Sequence, residues 1–230
     1  MMTLPELSRL LGAETTQADN PVAGVTERSG CVQPGSVFFA AQGTRTDGHD
    51  FAPDAAARGA VAIVGDRQGL TELAGLPYIR VPHVRKALGV AAHALAGNPT
   101  HNMTVIGVTG TNGKSSSVSL ARHILVQCGI KAACFGTLGY EFDEETIAAP
   151  HTTPFGEDLA ALFQKAKDTG HTHVAMEVSS HALEQERVAG IRFRTALFTN
   201  LTQDHLDYHL NMEAYLQAKL SLFERIEGAD

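Results

Sequence analysis

Met103-Thr-Val-Ile-Gly-Val108 and the stretch that follows it, Thr109-Gly-Thr-Asn-Gly-Lys-Ser115, decide the fold of this chain. The first stretch is an apolar run of strand length, and the second is a turn whose two glycines can adopt positive φ. From Lys114 to Cys128 the apolar residues recur at spacings of three and four, which predicts an amphipathic helix. A buried strand, a glycine-rich turn and a helix in this order are typical of a parallel α/β sheet.

The same turn has the physical features of a phosphate-binding loop. Backbone N–H groups face inward in such a turn, and the N-terminus of the following helix favours negative charge. Val108 occupies the place of the first glycine in the usual G-x-x-x-x-G-K-[ST] pattern, but the physical requirements are met. Lys114 is placed to bridge the β- and γ-phosphates of ATP, and the Ser115 hydroxyl to bind Mg²⁺. We predict a phosphate cradle lined by Gly110, Thr111, Asn112, Gly113, Lys114, Ser115 and Ser116.

Strand and helix patterns alternate after this motif. Two further helices are predicted, from Gly156 to Thr169 and, opened by Asn211, from Met212 to Glu224. The further strands are Ala132–Phe135, His173–Val178 and Thr195–Thr199. Only three strands of this sheet are convincing, whereas open nucleotide-binding sheets usually have about five or six. We therefore expect a fragment of a longer protein.

Residues before this region predict a separate small α/β unit. Short apolar runs lie between Gly, Pro and Asp turns at Ser36–Ala41, Ala60–Val64 and Tyr78–Val81. A helical pattern ends at Gly97-Asn-Pro99, which we take as the domain boundary. The prediction is an α/β protein with a first domain over residues 1–99 and an incomplete phosphate-loop ATPase domain, with a mostly parallel sheet, over residues 100–230.

Composition excludes several classes of protein. The 230 residues are 43% hydrophobic and 19% charged, which is the profile of a globular chain. The formal net charge of −7 argues against nucleic-acid binding, because no Lys/Arg stripe is present to neutralise a phosphate backbone. The N-terminus lacks the apolar region of a signal peptide, and no run reaches the ~18 apolar residues that a membrane span needs. We expect a cytoplasmic monomer that binds neither nucleic acid nor membrane.

The three cysteines point to a reducing compartment. Cys31, Cys128 and Cys134 form no C-x-x-C pair, and an odd number does not suggest a disulfide framework. We expect all three to be buried thiols.

Polar residues after the later strands suggest cation binding. Glu177 lies near the end of an apolar strand, where a carboxylate can hold the metal of Mg-ATP; a buried ion pair is the alternative. The loop after the next strand holds Asp204, His205, Asp207 and His209, a cluster that suggests a second cation site, in which only His205 is favoured as a ligand. The histidines expected to be structural are His49, His83, His93, His101, His123, His171 and His173.

Taken together, the motifs resemble one family: the Mur ligases of peptidoglycan synthesis, and within them the UDP-N-acetylmuramoyl-tripeptide synthetases. The phosphate loop is shared with related ligases, whereas the later segments are more particular to this type. The segments that carry the resemblance are Thr109–Ser115, Thr152-Thr-Pro154, Met176-Glu-Val-Ser-Ser-His-Ala-Leu183 with Gln185 and Arg187, Asn200-Leu-Thr-Gln-Asp-His-Leu-Asp-Tyr-His209, and Ala218-Lys219.

The resemblance implies roles for particular residues. Lys219 would be a carbamylated lysine that binds metal, a role requiring an amine whose pKa is lowered by burial and nearby cations, since a helical lysine otherwise extends to water. Lys114, Lys219, Glu177 and His205 would form the catalytic group, with Ser115, Glu177, His205 and the Lys219 carbamate binding Mg²⁺. The muramoyl-dipeptide would be bound by Thr152, Thr153, Ser179, Gln185 and Arg187.

In the first domain the resemblance implies a UDP-binding function. The expected uridine contacts are Ser29, Thr44, Arg45 and Thr46. Two departures from the family pattern affect them: Asp-Ser-Arg reads Arg28-Ser29-Gly30 here, and a His-Gln-Ala type segment reads Thr44-Arg45-Thr46.

The implied reaction is an amide ligation. A carboxylate of the substrate's D-glutamate takes the γ-phosphoryl group of ATP, and the amine of meso-diaminopimelate or L-lysine attacks the acyl phosphate. Three alternatives remain open. They are a folylpolyglutamate-type ligase, which lacks the first domain; a P-loop GTPase or kinase, against which the missing Asn-Lys-x-Asp motif counts; and a fragment that only binds nucleotide and UDP-sugar, because the family's C-terminal amino-acid-binding domain is absent from this sequence.

Overall fold

A computed structural model of the chain describes residues 2–13, 19–43 and 46–226. The chain divides into two compact units, Met1–Ala96 and Gly97–Asp230. The division falls close to the boundary expected from the Gly97-Asn-Pro99 stop. We refer to the two parts as unit 1 and unit 2 and describe each by itself.

Unit 1 is built on one mainly parallel sheet. Its strands are β1 (Gly24–Thr26), β2 (Ser36–Phe39), β3 (Ala62–Gly65), β4 (Glu72–Leu73) and β5 (Leu76–Arg80). Its helices are α1 (Leu4–Leu10), α2 (Ala52–Ala57) and α3 (Val84–Leu95). The strand order is β1-β2-β3-β5-β4, and only β4 runs antiparallel to its neighbour among these strands.

The sheet of unit 1 is apolar on both faces. Val37 and Phe39 pack in one cluster with α1 and α3, whereas Phe38 packs in the other with α2. Successive side chains of a strand point to opposite faces, so a continuous apolar run such as Ser36–Phe39 suits a sheet that is covered by helices on both sides.

Unit 2 contains a larger sheet of mixed direction. Its strands are β6 (Thr104–Thr109), β7 (Ala132–Gly136), β8 (Gly139–Phe142), β9 (Glu145–Ile147), β10 (His173–Glu177) and β11 (Thr195–Phe198). Its helices are α4 (Lys114–Gln127), α5 (Gly156–Asp168), α6 (Ser180–Glu184), α7 (Leu206–His209) and α8 (Met212–Leu220). The strand order is β11-β6-β10-β7-β8-β9, with β11, β6, β10 and β7 parallel.

The two faces of this sheet decide which side chains reach the site. Phe135, Val174 and Met176 belong to the large core that includes α5 residues. Ala175 packs with Val118 of α4 on the other face. Because side chains alternate along a strand, Glu177 lies on the same face as Ala175, which is the face of the phosphate loop and α4.

Several expectations are corrected by the structure. The hairpin β8–β9 was not anticipated, and the sheet therefore has more strands than the three that the sequence made convincing. Strand β8 pairs antiparallel to β7, and β9 pairs antiparallel to β8, so the sheet is mostly parallel, as predicted. The last helix is shorter than expected, because α8 ends at Leu220 and a 3₁₀ turn follows over Phe223–Arg225.

The apolar face predicted for α4 is formed in part, because Val118 is buried and Ala121 packs beside it. The helix ends at Gln127, and Gly129 after it adopts φ +77°. The expected burial of two cysteines is wrong, since Cys128 at the end of the helix is exposed. Cys31 is exposed as well. Cys134 is buried between α4 and the sheet, and burial raises the pKa of its thiol to about 12.

No helix within the described ranges is both long and apolar enough to cross a membrane.

Candidate active site

The loop between β6 and α4 forms the centre of the candidate site in unit 2. Gly110 adopts φ +141°, and a Cβ atom there would overlap the Thr199 hydroxyl, so only glycine fits. Gly113 adopts φ +85° and is the residue before the first turn of α4. Ser115 and the exposed Ser116 follow in that turn. This geometry places backbone N–H groups and a helix N-terminus together, as phosphate binding requires.

Two lysines meet at the carbonyl oxygen of Gly110. The Lys114 ammonium donates to Gly110 O at 2.9 Å and to Thr111 O at 2.8 Å. The Lys219 ammonium, brought by α8, donates to Gly110 O at 2.7 Å and lies 4.3 Å from the centroid of the Tyr215 ring. Lys114 and Lys219, which the sequence analysis singled out, therefore donate to the same carbonyl oxygen although they are far apart in the chain.

Burial lowers the pKa of both lysines, and repulsion from Lys114 lowers that of Lys219 further. Lys219 is only 1% exposed, and burial, then the neighbouring Lys114, lower its pKa to about 8. Burial also lowers the pKa of Lys114, while Glu177 and Asp204 act in the opposite direction. A lysine of lowered pKa has a larger fraction of neutral amine, which is the form that reacts with CO₂.

Glu177 is a buried carboxylate beside this lysine pair. It is 2% exposed, and its Oε1 accepts from the backbone N–H of Thr137 at 2.8 Å. The Thr137 hydroxyl lies 3.4 Å from Oε2 and 3.0 Å from the Thr152 hydroxyl. Thr137 was not singled out from the sequence, although its position directly after the buried strand β7 parallels that of Val178 after β10.

The predicted dipeptide contacts form a connected group at the end of β10. The buried Thr153 hydroxyl donates to Glu177 O at 3.0 Å and accepts from Ser179 N at 3.1 Å. Arg187 donates to Thr153 O at 3.0 Å and twice to Gln185 Oε1, at 3.0 and 2.7 Å. Its guanidinium lies 4.3 Å from the Phe155 ring centroid. These contacts hold the guanidinium in one orientation.

The histidine loop is arranged differently from the expected four-residue cluster. His205 is about half exposed, adopts φ +52° and lies 3.6 Å from Asp204 through Nε2. His209 is instead buried, with Nε2 2.9 Å from Ser180 Oγ and Nδ1 3.1 Å from Glu184. In the parts of the chain that the structure describes, no three His, Cys, Asp or Glu side chains converge on one point. The second cation site expected from Asp204, His205, Asp207 and His209 is therefore not formed by those residue types alone.

His181 is a neighbour of His205 that the sequence analysis missed. Its ring lies 4.8 Å from that of His205 and 4.2 Å from that of Tyr208. Burial, then His205, lowers the pKa of His181. The signal that could have indicated His181 was its position at the start of α6, shortly after the end of strand β10.

Unit 1 holds the predicted uridine residues on separate loops. Ser29 begins a 3₁₀ turn over Ser29–Cys31, and its hydroxyl hydrogen-bonds Asp54 and lowers the pKa of that carboxyl. Thr46 accepts a hydrogen bond from Gly43 N at 2.9 Å. Thr44 and Arg45 lie outside the described residues.

The donor set of unit 2 fits a magnesium-bound nucleotide. Mg²⁺ prefers oxygen ligands, and the Ser115 hydroxyl and the Glu177 carboxylate supply them on the same face of the sheet. A triphosphate would receive positive charge from Lys114 and the N-terminus of α4. The fold and this loop together define an α/β nucleotide-binding protein whose site lies at the carboxyl ends of parallel strands.

Comparison with known proteins gives the family. A model of the Mur ligase middle domain matches residues 108–229, and one of the Mur ligase family catalytic domain matches residues 21–95. The chain belongs to the Mur ligase family, whose members are ATP-dependent ligases.

Relatives and solved structures agree with this assignment. The UDP-N-acetylmuramoyl-L-alanyl-D-glutamate--2,6-diaminopimelate ligase of Geobacter metallireducens is 43% identical over 100% of this chain and 45% of its own length. A solved structure of a ligase of the same name is 28% identical, with a TM-score of 0.83 over 97% of this chain and 45% of that one. Thermotoga maritima MurF ligase in complex with ADP shares the fold, with a TM-score of 0.60 and 22% identity over 92% and 45%. The chain thus spans less than half the length of these proteins.

Proposed function

We propose that this chain supplies the UDP-substrate and ATP-binding parts of a ligase that adds meso-diaminopimelate to UDP-N-acetylmuramoyl-L-alanyl-D-glutamate. The observation that carries the proposal is the convergence of Lys114 and Lys219 on Gly110 O, with the buried Glu177 carboxylate at the end of the neighbouring strand close enough to raise the pKa of Lys114. The names of the relatives support the choice of the diamino acid. Because the reaction consumes ATP, we assign it to the cytoplasm.

The arrangement addresses the main electrostatic difficulty of the reaction. A substrate carboxylate must approach the γ-phosphate of ATP, and two anions repel each other. Lys114 and the N-terminus of α4 neutralise phosphate charge, and Arg187 can bind a substrate carboxylate through two parallel hydrogen bonds. Oxygen attack on the γ-phosphorus gives an acyl phosphate and ADP. Attack by the diamino acid's amine then gives the amide, inorganic phosphate and a proton.

Magnesium would be held by Ser115, Glu177, His205 and the modified Lys219, and it would supply positive charge to the phosphates. The modification joins the neutral Lys219 amine to CO₂ and releases a proton, which converts a buried cation into an anion. That change also removes the repulsion between Lys219 and Lys114. Glu177 is kept in place by Thr137 and needs no movement to face the loop.

For unit 1 we propose uridine binding through Ser29 and Thr46, together with Thr44 and Arg45. In unit 2, Thr152, Thr153, Ser179 and Gln185 would surround the dipeptide. Their hydrogen bonds to Glu177 O, Thr137 and Arg187 couple the position of the dipeptide to that of the metal carboxylate.

Calorimetric titration of the 230-residue chain tests the binding part of this proposal. We expect saturable binding of ATP with Mg²⁺ and of UDP-N-acetylmuramoyl-L-alanyl-D-glutamate. Lys114→Ala should weaken ATP binding by about 100-fold, because a charge-assisted contact to phosphate is lost. Lys131→Ala, a change of an exposed lysine, serves as the control. Binding of a folate substrate in place of the UDP-dipeptide would refute the assignment.

Catalysis is tested in a chimaera that joins this chain to the remaining C-terminal part of the Geobacter metallireducens relative. Phosphate release should require ATP, the UDP-dipeptide and diaminopimelate together. Lys219→Ala should abolish it, with partial rescue by short carboxylic acids that replace the carbamate. Full activity of Lys219→Ala would exclude the metal-binding role of this lysine.

A further inference from the structure

The backbone of Asn112, in the middle of the phosphate loop, is held by two residues that follow β11. Asn112 N donates to Asn200 Oδ1 at 3.0 Å, and Asn200 Nδ2 donates to Asn112 O at 3.1 Å. The Thr199 hydroxyl donates to the same Asn112 O at 2.6 Å. One side-chain amide thus pairs with both polar backbone groups of a loop residue, and a hydroxyl adds a second donor.

The preceding residue of the loop is held by the same segment. Thr111 N donates to Asn200 O at 2.9 Å, and Thr202 N donates to Thr111 Oγ1 at 3.0 Å. The Thr111 hydroxyl in turn lies 3.2 Å from Thr202 O. The loop between β6 and α4 is therefore fastened along one side to residues 199–202.

These contacts decide which way the next amide points. A trans peptide unit is planar, and its C=O and N–H groups point in opposite directions. Two donors fix the Asn112 carbonyl toward residues 199 and 200, so the N–H of Gly113 is fixed away from them. Gly113 is the residue before the first turn of α4, where backbone N–H groups would receive phosphate.

We propose that Thr199 and Asn200 are positioning residues that hold the phosphate loop in its binding conformation before nucleotide arrives. This inference rests on the proposed ATP binding for its consequence, whereas the contacts that carry it are all made within the chain. A loop that is already ordered loses less conformational entropy on binding, so its affinity is higher than that of the same loop left free. The amide of Asn200 is fully engaged with Asn112 and acts through it.

Thr199 allows a matched set of variants. Thr199→Val removes the hydroxyl at constant shape, whereas Thr199→Ser keeps it. Thr195, which is exposed at the opposite end of β11, provides Thr195→Val as a control for the same change in the same strand. Asn200→Ala removes the paired amide. Thermal melting of each variant without ligand shows whether it folds.

The first readout is amide hydrogen exchange in the protein without nucleotide. In Asn200→Ala we expect exchange of the Asn112 amide, and of neighbouring loop amides, to become about tenfold faster, because loss of a hydrogen bond shifts the local opening equilibrium by roughly this factor. Thr199→Val should accelerate it by several-fold. Thr195→Val should leave loop exchange unchanged. Unchanged loop exchange in Asn200→Ala would overturn the inference whether or not the chain binds ATP.

The second readout is the affinity for ATP with Mg²⁺. We expect dissociation constants raised about fivefold by Thr199→Val and about 10- to 30-fold by Asn200→Ala, with Thr199→Ser within about twofold of the unchanged protein. Binding of the UDP-dipeptide should not change. Equal losses in Thr199→Ser and Thr199→Val, or in Thr195→Val and Thr199→Val, would show that the hydroxyl contact does not position the loop. Absence of ATP binding in the unchanged chain would instead refute the proposed function.

Discussion

Both units place polar groups at the carboxyl ends of parallel strands, but they treat charge in opposite ways. In unit 1 the polar groups form a closed, compensated ring. In unit 2 two ammonium groups share one carbonyl oxygen, and burial, then repulsion from Lys114, lowers the pKa of Lys219. The difference separates a network that stabilises its own fold from one that is arranged for an anionic ligand.

The ring in unit 1 consists of Asp47, His49, Tyr78 and Arg67. His49 Nδ1 lies 2.7 Å from Asp47 Oδ1, and its Nε2 lies 2.8 Å from the Tyr78 hydroxyl. The Tyr78 hydroxyl accepts from Arg67 N at 2.9 Å, and Arg67 Nη2 returns to Asp47 Oδ2 at 2.8 Å. Every polar atom named here has a hydrogen-bond partner of complementary character. A ligand would therefore gain no free energy of binding from this ring.

Around Gly110 O in unit 2 the compensation is incomplete, because burial lowers the pKa of both lysines by more than the nearby carboxylates raise it. Buried cations near an anion-binding loop lower the stability of the empty protein, and a bound anion relieves that cost. Perturbed groups of this kind at strand ends mark candidate functional sites. The contrast leads to four predictions, ordered by the size of the expected effect.

Gly110→Ala should be the most damaging single change. A Cβ atom there would overlap the Thr199 hydroxyl and approach Asn200 N to 3.1 Å, and φ +141° is unfavourable for alanine. We expect the free energy of unfolding of unit 2 to fall by about 3 kcal/mol or more. Gly170→Ala is the matched control, because Gly170 has φ +81° but nothing within 4 Å of a Cβ, and it should cost only about 1 kcal/mol. Urea unfolding measures both, and equal losses would show that the loop tolerates expansion.

Tyr78→Phe should destabilise unit 1 by about 1–2 kcal/mol. The change leaves His49 Nε2 and Arg67 N without their shared partner, and unpaired buried polar groups carry a desolvation cost. Tyr140→Phe in unit 2 loses one hydrogen bond, to His151 O at 2.7 Å, and should cost less. The two losses of stability can be compared through the denaturant concentrations at the midpoints of unfolding. A larger loss for Tyr140→Phe would mean that the ring adds nothing beyond a single bond.

Local patterns were sufficient to predict the main elements of unit 2. The turn after β6 could be predicted because Gly110 and Gly113 lie between an apolar strand and a helix whose apolar residues recur periodically. Glu177 stood out as a carboxylate in a strand where Val174, Met176 and Val178 are buried. The family resemblance added Lys219, which no local pattern distinguishes from a surface lysine. The functional roles of these residues stay predictions.

The missed features depend on pairing between distant segments. The hairpin β8–β9 is short. Its alternation of Tyr140 and Phe142 with Glu141 indicates a strand only once β7 is known to pair with it. Thr199 and Asn200 contact a loop about 90 positions earlier, through backbone groups that leave no trace in residue spacing. The ring of unit 1 was missed for the same reason, because His49 and Tyr78 are 29 positions apart in the chain and meet only after the strands have paired.

Lys219→Met should stabilise unit 2 while removing its proposed metal ligand. The pKa of Lys219 falls from 10.5 to about 8, chiefly through burial, so the folded state opposes the ammonium form at neutral pH. This cost is complete below about pH 8 and declines as the pH rises from there toward 10.5. We expect a gain of about 1 kcal/mol, or a few degrees in Tm, at pH 7 and a much smaller gain near pH 10. Lys131→Met at an exposed site is the control, and a loss of stability at pH 7 would show that the contact with Gly110 O outweighs burial.

Moderate acid should weaken unit 2 before unit 1. Burial lowers the pKa of His171, His181 and His209 in unit 2, and a histidine of lowered pKa favours the fold when neutral. Their contribution is complete above about pH 6.5 and declines as the pH falls below it. In unit 1 the backbone N–H of His49 and the Arg67 side chain hold the pKa of Asp47 well below its usual range, so that contribution declines only below about pH 4.

Hydrogen exchange of peptides from each unit, corrected for the intrinsic effect of pH, can be compared at pH 7.5 and pH 5.5. Protection should fall in unit 2 and persist in unit 1. His171 explains part of the difference, because burial lowers its pKa by more than the Asp143 carboxylate, 3.3 Å from Nε2, raises it, and a proton on Nε2 would also oppose the N–H of Asp143 at 3.4 Å. His171→Gln should therefore reduce the pH dependence of unit 2, whereas His123→Gln on the exposed side of α4 should not. If both units lost protection together, the fold would respond to acid through its net charge and not through these buried rings.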